Sequence, residues 1–213
     1  MHTGVKAVAA DLQRIFGARL QSVVTYGGTD GDGMHTLALV ERLGFQDLAA
    51  CAPRMVDWHK AGAAAPLLLT RDEFLRTLDV FPLEYGGIID RHELVFGDDV
   101  LAGIRVGDAD LRRGCELQAK SHLIHLREAY LECGGNPKAV AALIAASAPS
   151  LSSLLASLHR LDDGVAQRAG FSEGFLKEIA AAADATIADP SALLARYLTA
   201  VERLWQEVDR WKA

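Results

Sequence analysis

The feature that most constrains the fold is a change of pattern near residue 107. Before it, short apolar runs alternate with glycine, proline and capping residues, which is typical of a small sheet with flanking helices. After it, apolar residues recur every three or four positions over long stretches, which predicts helices. We therefore expect an α+β fold in two parts, an α/β domain over residues 1–106 and an all-helical bundle over residues 107–213.

Composition limits the function. The chain has 213 residues, of which 50% are hydrophobic, and its formal net charge is -6. A general nucleic-acid binder needs a basic face for the phosphates, so we expect no such binding.

Cys51, Cys115 and Cys133 are too few and too widely spaced for a zinc site, and we expect three reduced thiols. The apolar run over residues 61–69 is too short to span a bilayer and no other segment comes close, so we expect a cytoplasmic protein without membrane contact.

The first domain is predicted to alternate helices with short strands, each bounded by a glycine, a proline or a capping residue. Side chains alternate between two sides from Val80 to Tyr85, which predicts a strand, and Pro82 suggests that it is an edge strand or carries a bulge. In chain order the predicted elements are a helix over residues 5–16, strands over 20–26 and 35–40, a helix over 46–60, a strand over 66–69, a helix over 70–78, and strands over 79–85 and 94–96.

The second domain is predicted to contain only helices. Pro149 is interpreted as a break between two of them, and Leu117 as a core residue of the first. The predicted helices cover residues 108–133, 137–148, 149–161, 172–183 and 190–211.

The order of elements in the first domain resembles the minimal nucleotidyltransferase fold of the kanamycin nucleotidyltransferase-like and DNA polymerase beta-like enzymes. The residues that carry the resemblance are the strand and turn Val23-Val24-Thr25-Tyr26-Gly27-Gly28. Two later segments, residues 78–85 and 93–99, look like segments of members that carry a helical bundle. The resemblance implies a nucleotide-binding turn at Gly27 and Gly28, with magnesium as the cofactor if the chemistry is retained.

The sequence departs from that family where the chemistry is carried. The family's second strand bears two acids one residue apart, which share magnesium ions, and a neighbouring strand supplies a third carboxylate. Here the second strand, residues 35–40, contains no acid, and Gly28 stands where the family carries serine. We therefore expect a protein that has lost the catalytic carboxylates and acts by binding a nucleotide, a small molecule or a protein partner.

Three aspartates keep an alternative open. Asp30 and Asp32 have the one-residue spacing of a metal pair, although their glycine-rich surroundings also suit a simple turn. Asp79 is the candidate for the third, catalytic carboxylate, or else a residue that only ends a helix or enters a strand. With all three in these roles the chain would be an active metal-dependent nucleotidyltransferase acting on a small-molecule or protein hydroxyl acceptor.

The helical domain offers two further candidates. His122, His125 and Glu128 follow at intervals of three residues, which suits either a metal-binding helix face or two surface histidines. Trp205 and Trp211 lie six residues apart and cannot share one narrow stripe, so one of them is expected to face outward. We therefore expect a homo-oligomer that forms through the bundle.

Overall fold

Contacts between residues divide the chain into two units, Met1–Val106 and Gly107–Ala213. The structure is a computed structural model, and it describes residues 3–27, 34–184 and 187–211. The first unit holds a sheet with flanking helices, and the described part of the second is helical throughout its regular elements. This arrangement confirms the predicted α+β fold class.

The first unit interleaves helices and strands much as the sequence predicts. The capping box is present, because Thr70 Oγ1 accepts a hydrogen bond from the Glu73 amide and the Glu73 carboxylate accepts one from the Thr70 amide. Short 3-10 helices follow the first and second α-helices. The elements are α1 (Thr3–Phe16), β1 (Leu20–Gly27), β2 (Met34–Val40), α2 (Phe45–Cys51), α3 (Met55–Lys60), β3 (Leu67–Thr70), α4 (Arg71–Arg76), α5 (Pro82–Asp90) and β4 (Glu93–Gly97).

The sheet has the strand order β3-β2-β1-β4. β1 runs antiparallel to both β2 and β4, whereas β2 and β3 are parallel. Alternate side chains of the central pair enter two separate apolar clusters. Val23 and Ala38 pack with Leu12 of α1, and Val24 and Leu37 pack with Phe74 of α4. Both faces of the central pair are therefore covered, and only its ends are available for a ligand.

The strand predicted over residues 79–85 is wrong. Pro82 begins α5 instead, and the helix continues through Gly86 and Gly87 to Asp90. Proline suits the first turn of a helix because its ring fixes φ and the amide there has no helical partner. Tyr85 and Ile88, three residues apart, bury one side of α5 against the sheet cluster. The short alternation of side chains was a weaker signal than the proline.

The second unit contains helices of very different lengths. The break predicted at Pro149 is wrong, because one helix runs through it. Leu117 is also not a core residue, since it is exposed on the first of these helices. The elements are α6 (Asp108–Glu132), α7 (Pro137–His159), α8 (Val165–Ala169), α9 (Glu173–Ala180) and α10 (Pro190–Arg210).

Helix α7 is long and apolar enough to cross a membrane, judged by length and composition alone. It has 23 residues, and its most apolar 18-residue window has a mean hydropathy of 1.8 with 22% of that window buried. The expectation that no segment comes close is therefore wrong. Many of its exposed positions carry small side chains, among them Ala142, Ala146 and Ser153. A core helix of a soluble protein can have the same length and composition, so one such helix is weak evidence for a membrane span.

Candidate functional site

The candidate site lies at the end of the β1–β2 pair, where the resemblance places the nucleotide-binding turn. Gly27 is the last residue of β1, has a φ of 81° and pairs with Met34 at the start of β2. Glycine suits this conformation because it carries no Cβ. Gly28, Asp30 and Asp32 lie outside the residues that the structure describes.

β2 presents no acidic side chain at this end. Met34 and Thr36 are one residue apart and therefore share a face of the strand, as a pair of metal-binding acids would. Thr36 lies opposite Thr25 of β1, and both threonines are buried. Between them these positions offer a thioether and two hydroxyl groups. They carry no charge that would balance a divalent cation.

Aromatic rings gather on the opposite face of the same strands. Tyr26 and His35 stack with their ring centroids 5.5 Å apart, and Tyr85 stacks on Phe74 at 4.5 Å. Burial, and then the nearby Tyr85, raise the pKa of Tyr26. Phe81 lies 5.4 Å from the Tyr85 ring and is itself exposed. The group formed by these rings therefore has an accessible edge onto which a planar ligand can stack.

The strands carry one acid, Glu93 of β4, and it is exposed. It lies opposite Thr25, whose hydroxyl donates a hydrogen bond of 3.5 Å to the Glu93 carbonyl oxygen. Within residues 3–27, 34–184 and 187–211, no group of three His, Cys, Asp or Glu side chains is placed to hold a metal ion. Magnesium prefers several hard oxygen ligands, so the donors described at this end of the sheet do not fit it.

Asp79, the predicted catalytic carboxylate, lies in the turn between α4 and α5 rather than on a strand. Its side chain is exposed. Two residues later, Phe81 precedes α5 and joins the ring group through Tyr85. Its role as a catalytic residue stays a prediction. The position that the resemblance assigns to such a residue is a strand, and the helix that begins at Pro82 removes that strand.

The aspartate that this unit buries most deeply was not foreseen. Asp11 lies on α1 and accepts hydrogen bonds from Trp58 Nε1 at 2.9 Å, from Arg54 at 3.0 Å and from Arg14. Burial alone would raise the pKa of Asp11, but the bonds from Arg54 and Trp58 outweigh it, and the pKa is lowered. The sequence feature that could have indicated this buried site is an acid next to Leu12 on the apolar stripe of α1. The role of Asp11 is to join α1 to the α2–α3 region.

In the helical unit, His122 is a buried residue and not a metal ligand on the surface. Its Nε2 lies 2.6 Å from the Tyr197 hydroxyl oxygen, which is 3.2 Å from Ser147 Oγ. Burial, and then the charge of His125, lower the pKa of His122. His125 points elsewhere and contacts Glu128 at 3.1 Å. A cavity of about 250 Å³ between α6 and α7 is lined by both histidines and Ser147.

Comparison with known proteins gives a likeness of fold. No protein-family model and no curated protein sequence matches the chain. A solved structure does match, that of spectinomycin adenyltransferase AAD(9) from Enterococcus faecialis with ATP and spectinomycin. The two chains are 12% identical, the match covers 94% of this chain and 98% of that one, and the TM-score is 0.50.

The fold of this chain is therefore similar to that of this adenyltransferase and is nucleotidyltransferase-like. At this identity the likeness concerns the fold alone, so the chemistry of this nucleotidyltransferase-fold protein must be argued from its own residues.

Proposed function

We propose that this nucleotidyltransferase-fold protein binds a nucleotide or a related small molecule and does not transfer a nucleotidyl group. The observation that carries the proposal is the composition of β2, which runs from Met34 to Val40 without an acid. Metal-dependent transfer stabilises the charge that develops on the phosphates with ions held by carboxylates. A strand without a carboxylate cannot supply those ligands.

The rest of the described site does not replace the missing acids. Glu93 is a single exposed carboxylate on an outer strand, and Asp79 is an exposed turn residue. Thr25 and Thr36 are neutral and buried within the sheet. A magnesium ion bound by one exposed carboxylate keeps most of its water and is held weakly.

Two features support binding of a nucleotide. AAD(9), which shares the fold, was crystallised with ATP and spectinomycin, that is, with a nucleotide and a second small molecule. In this chain Phe81 offers an exposed ring beside Tyr85. Stacking of a base on an aromatic side chain contributes about 1–3 kcal/mol, and every base has a face that can take part. Replacement of Phe81 by alanine should therefore weaken nucleotide binding about tenfold or more.

The second candidate function is active nucleotidyl transfer, and the spacing of Asp30 and Asp32 favours it. The two acids lie one residue apart in the segment that joins β1 to β2. If that segment held a magnesium ion against Gly27, the acids would act from the loop rather than from the strand. Mutation of the pair distinguishes this function from the first.

The test is a pyrophosphate-release assay. The purified protein is incubated with each nucleoside triphosphate, magnesium or manganese, and hydroxyl acceptors that include spectinomycin and aminoglycosides. We expect release no faster than in a blank without protein. Release above the blank that disappears in Asp30→Asn with Asp32→Asn, or in Asp79→Asn, would establish the second function instead. Asp72→Asn, a change to an exposed acid of α4, is the matched control.

A further inference from the structure

An exposed apolar stripe runs along α6. Leu117, Ile124 and Leu131 follow at intervals of seven residues and are 74%, 40% and 77% exposed. Seven residues make nearly two turns of helix, so the three side chains lie in one line. The core side of the same helix carries other residues, such as Cys115 and Leu123, which are fully buried. The helix is therefore apolar on two sides, and the described residues of the chain leave one of them exposed.

The stripe has borders of opposite charge. Lys120 and Arg127 come three residues after a member of the stripe and lie along one side of it. Ser121 and Glu128 come four residues after a member and lie along the other side. One border of this α6 stripe is therefore basic, and the other is polar and acidic.

The charged residues of the borders are held only loosely within the chain. Arg127 lies 3.4 Å from Glu202, and both side chains are about half exposed. Glu128 contacts His125 at 3.1 Å, again with both side chains exposed. Exposed pairs of this kind contribute little to stability, so Arg127 and Glu128 can exchange these partners for others. Lys120 is less available, because its Nζ lies 3.6 Å from the centre of the Trp205 ring.

We propose that the α6 stripe is the surface on which two copies of this chain pair, with their α6 helices parallel and related by a two-fold axis along them. In that arrangement each stripe residue meets its own counterpart, and the basic border of one helix meets the acidic border of the other. Arg127 then faces the partner's Glu128, and symmetry supplies this pair twice. The occupant is a second copy because the surface is complementary to itself.

An antiparallel pairing does not fit the same charges. A two-fold axis across the helices at Ile124 would place the basic border of one helix beside the basic border of the other, and the acidic border beside the acidic border. Arg127 would then lie beside the partner's Lys120, and the two cations would repel each other. Three apolar residues per chain form a small interface compared with the roughly 800 Å² per partner of a stable complex. We therefore expect the fraction of dimer to change with protein concentration over the range used in ordinary biochemical experiments.

The first test is the mass of the chain in solution, measured by sedimentation equilibrium over a range of concentrations. The native chain should move from its monomer mass of 22.9 kDa towards twice that mass as concentration rises. Leu117→Asp should stay at the monomer mass, and at a dilution where the native chain is also monomeric its melting curve should match the native one because the residue is exposed. Val56→Asp is the matched control, since Val56 is an exposed apolar residue of α3, and it should pair like the native chain. A native chain that stays monomeric at its highest soluble concentration overturns the proposal.

The second test fixes the direction of pairing. In a Cys133→Ser background, Leu117→Cys should form a disulfide-linked dimer with itself on mild oxidation, because parallel helices bring position 117 of both copies together. Cross-linking only when the Leu117→Cys chain is mixed with a Leu131→Cys chain would show antiparallel helices and overturn the proposal.

The third test reverses the charges. Arg127→Glu and Glu128→Arg should each weaken self-pairing about tenfold or more, while a mixture of the two variants should pair with each other. Stronger self-pairing of Arg127→Glu would contradict the parallel arrangement.

Discussion

The two units bury polar side chains in opposite ways. In the α/β unit Asp11 is 6% exposed and stays charged, because Trp58 and Arg54 donate hydrogen bonds to it. In the helical unit His122 is 7% exposed and stays neutral, because burial lowers its pKa and the Tyr197 hydroxyl is its partner. The acid that is buried among the described residues is therefore one whose charge cations and an indole N–H compensate. The end of the β1–β2 pair has no such compensated charge among its described residues.

This comparison distinguishes an acid that stabilises the fold from an acid that would take part in catalysis. The α/β unit does contain a well-held aspartate with a lowered pKa, the feature by which catalytic acids are often found. Its partners lie on α1 and in the α2–α3 region, and none of them is a strand residue. The lowered pKa of Asp11 therefore reflects the packing of helices.

The largest effect is expected at Gly97, where β4 closely approaches β1. A Cβ added there would lie 2.0 Å from the Gln21 carbonyl oxygen, and the φ is 79°. Gly97→Ala should lower the free energy of unfolding by about 4 kcal/mol, since backbone must move and the left-handed conformation is strained. Gly135, in a turn of the helical unit, has a φ of 74° and open space around it. Gly135→Ala should cost only about 1 kcal/mol, and urea unfolding of both variants measures the difference. Equal effects would contradict the close approach.

The next largest effect is expected for Asp11→Ala. The change leaves the buried Trp58 Nε1 without its acceptor and Arg54 without its partner, which should cost about 3 kcal/mol in urea unfolding. Asp72→Ala removes an acid from an exposed pair with Arg76 and should cost less than about 0.5 kcal/mol. Similar losses for the two variants would mean that Asp11 does not hold α1 in place.

A smaller effect is expected for Tyr197→Phe in the helical unit. The change removes the hydroxyl that partners His122 and Ser147 and leaves the ring packing, so the loss should be about 1.5 kcal/mol. Tyr130→Phe on α6 is the control, and it should change stability by less than about 0.5 kcal/mol. The ranking fails if the Tyr197 variant is as stable as the native chain.

The smallest effect is a dependence on pH that differs between the units. The pKa of His122 is lowered in the folded chain, so below its ordinary value of 6.5 the unfolded chain binds a proton that the folded chain does not. Stability should fall by about 1 kcal/mol between pH 7.5 and 5.5, and His122→Gln should abolish this fall. The lowered pKa of Asp11 acts in a lower window. Its contribution is complete above pH 3.8 and is lost as pH falls through the folded-state value. An unchanged pH profile in His122→Gln would exclude the assignment.

The elements that sequence predicts correctly are those set by local signals. The capping box at Thr70 and the apolar stripe of α1 each lie within a few residues, and the structure contains both. The prediction at Pro82 is wrong because proline suits a helix start as well as a strand edge. The prediction at Pro149 is wrong because a helix that packs against its neighbours tolerates a missing backbone hydrogen bond. The absence of an acid from β2 can be predicted directly, since it depends only on which residues the strand contains.

The contacts that sequence could not predict join distant parts of the chain. Asp11 and Trp58 are 47 residues apart, and His122 and Tyr197 are 75 apart. His122 comes three residues after the buried Ala119 and four before the buried Leu126, so it shares their side of α6, whereas His125 lies off that side and is exposed. Their different environments follow from which side of α6 meets α10, and that is decided by packing.

The central claim, that this nucleotidyltransferase fold binds without metal-dependent transfer, is tested most directly by a calorimetric titration with ATP. The dissociation constant is measured with magnesium and with a chelator, for the native chain and for Asp30→Asn with Asp32→Asn. We expect binding whose affinity changes by less than about tenfold between the two conditions and is the same in the variant. Binding at least about a hundredfold tighter with magnesium, with that gain lost in the variant, would show a metal site built by the two aspartates and contradict the account.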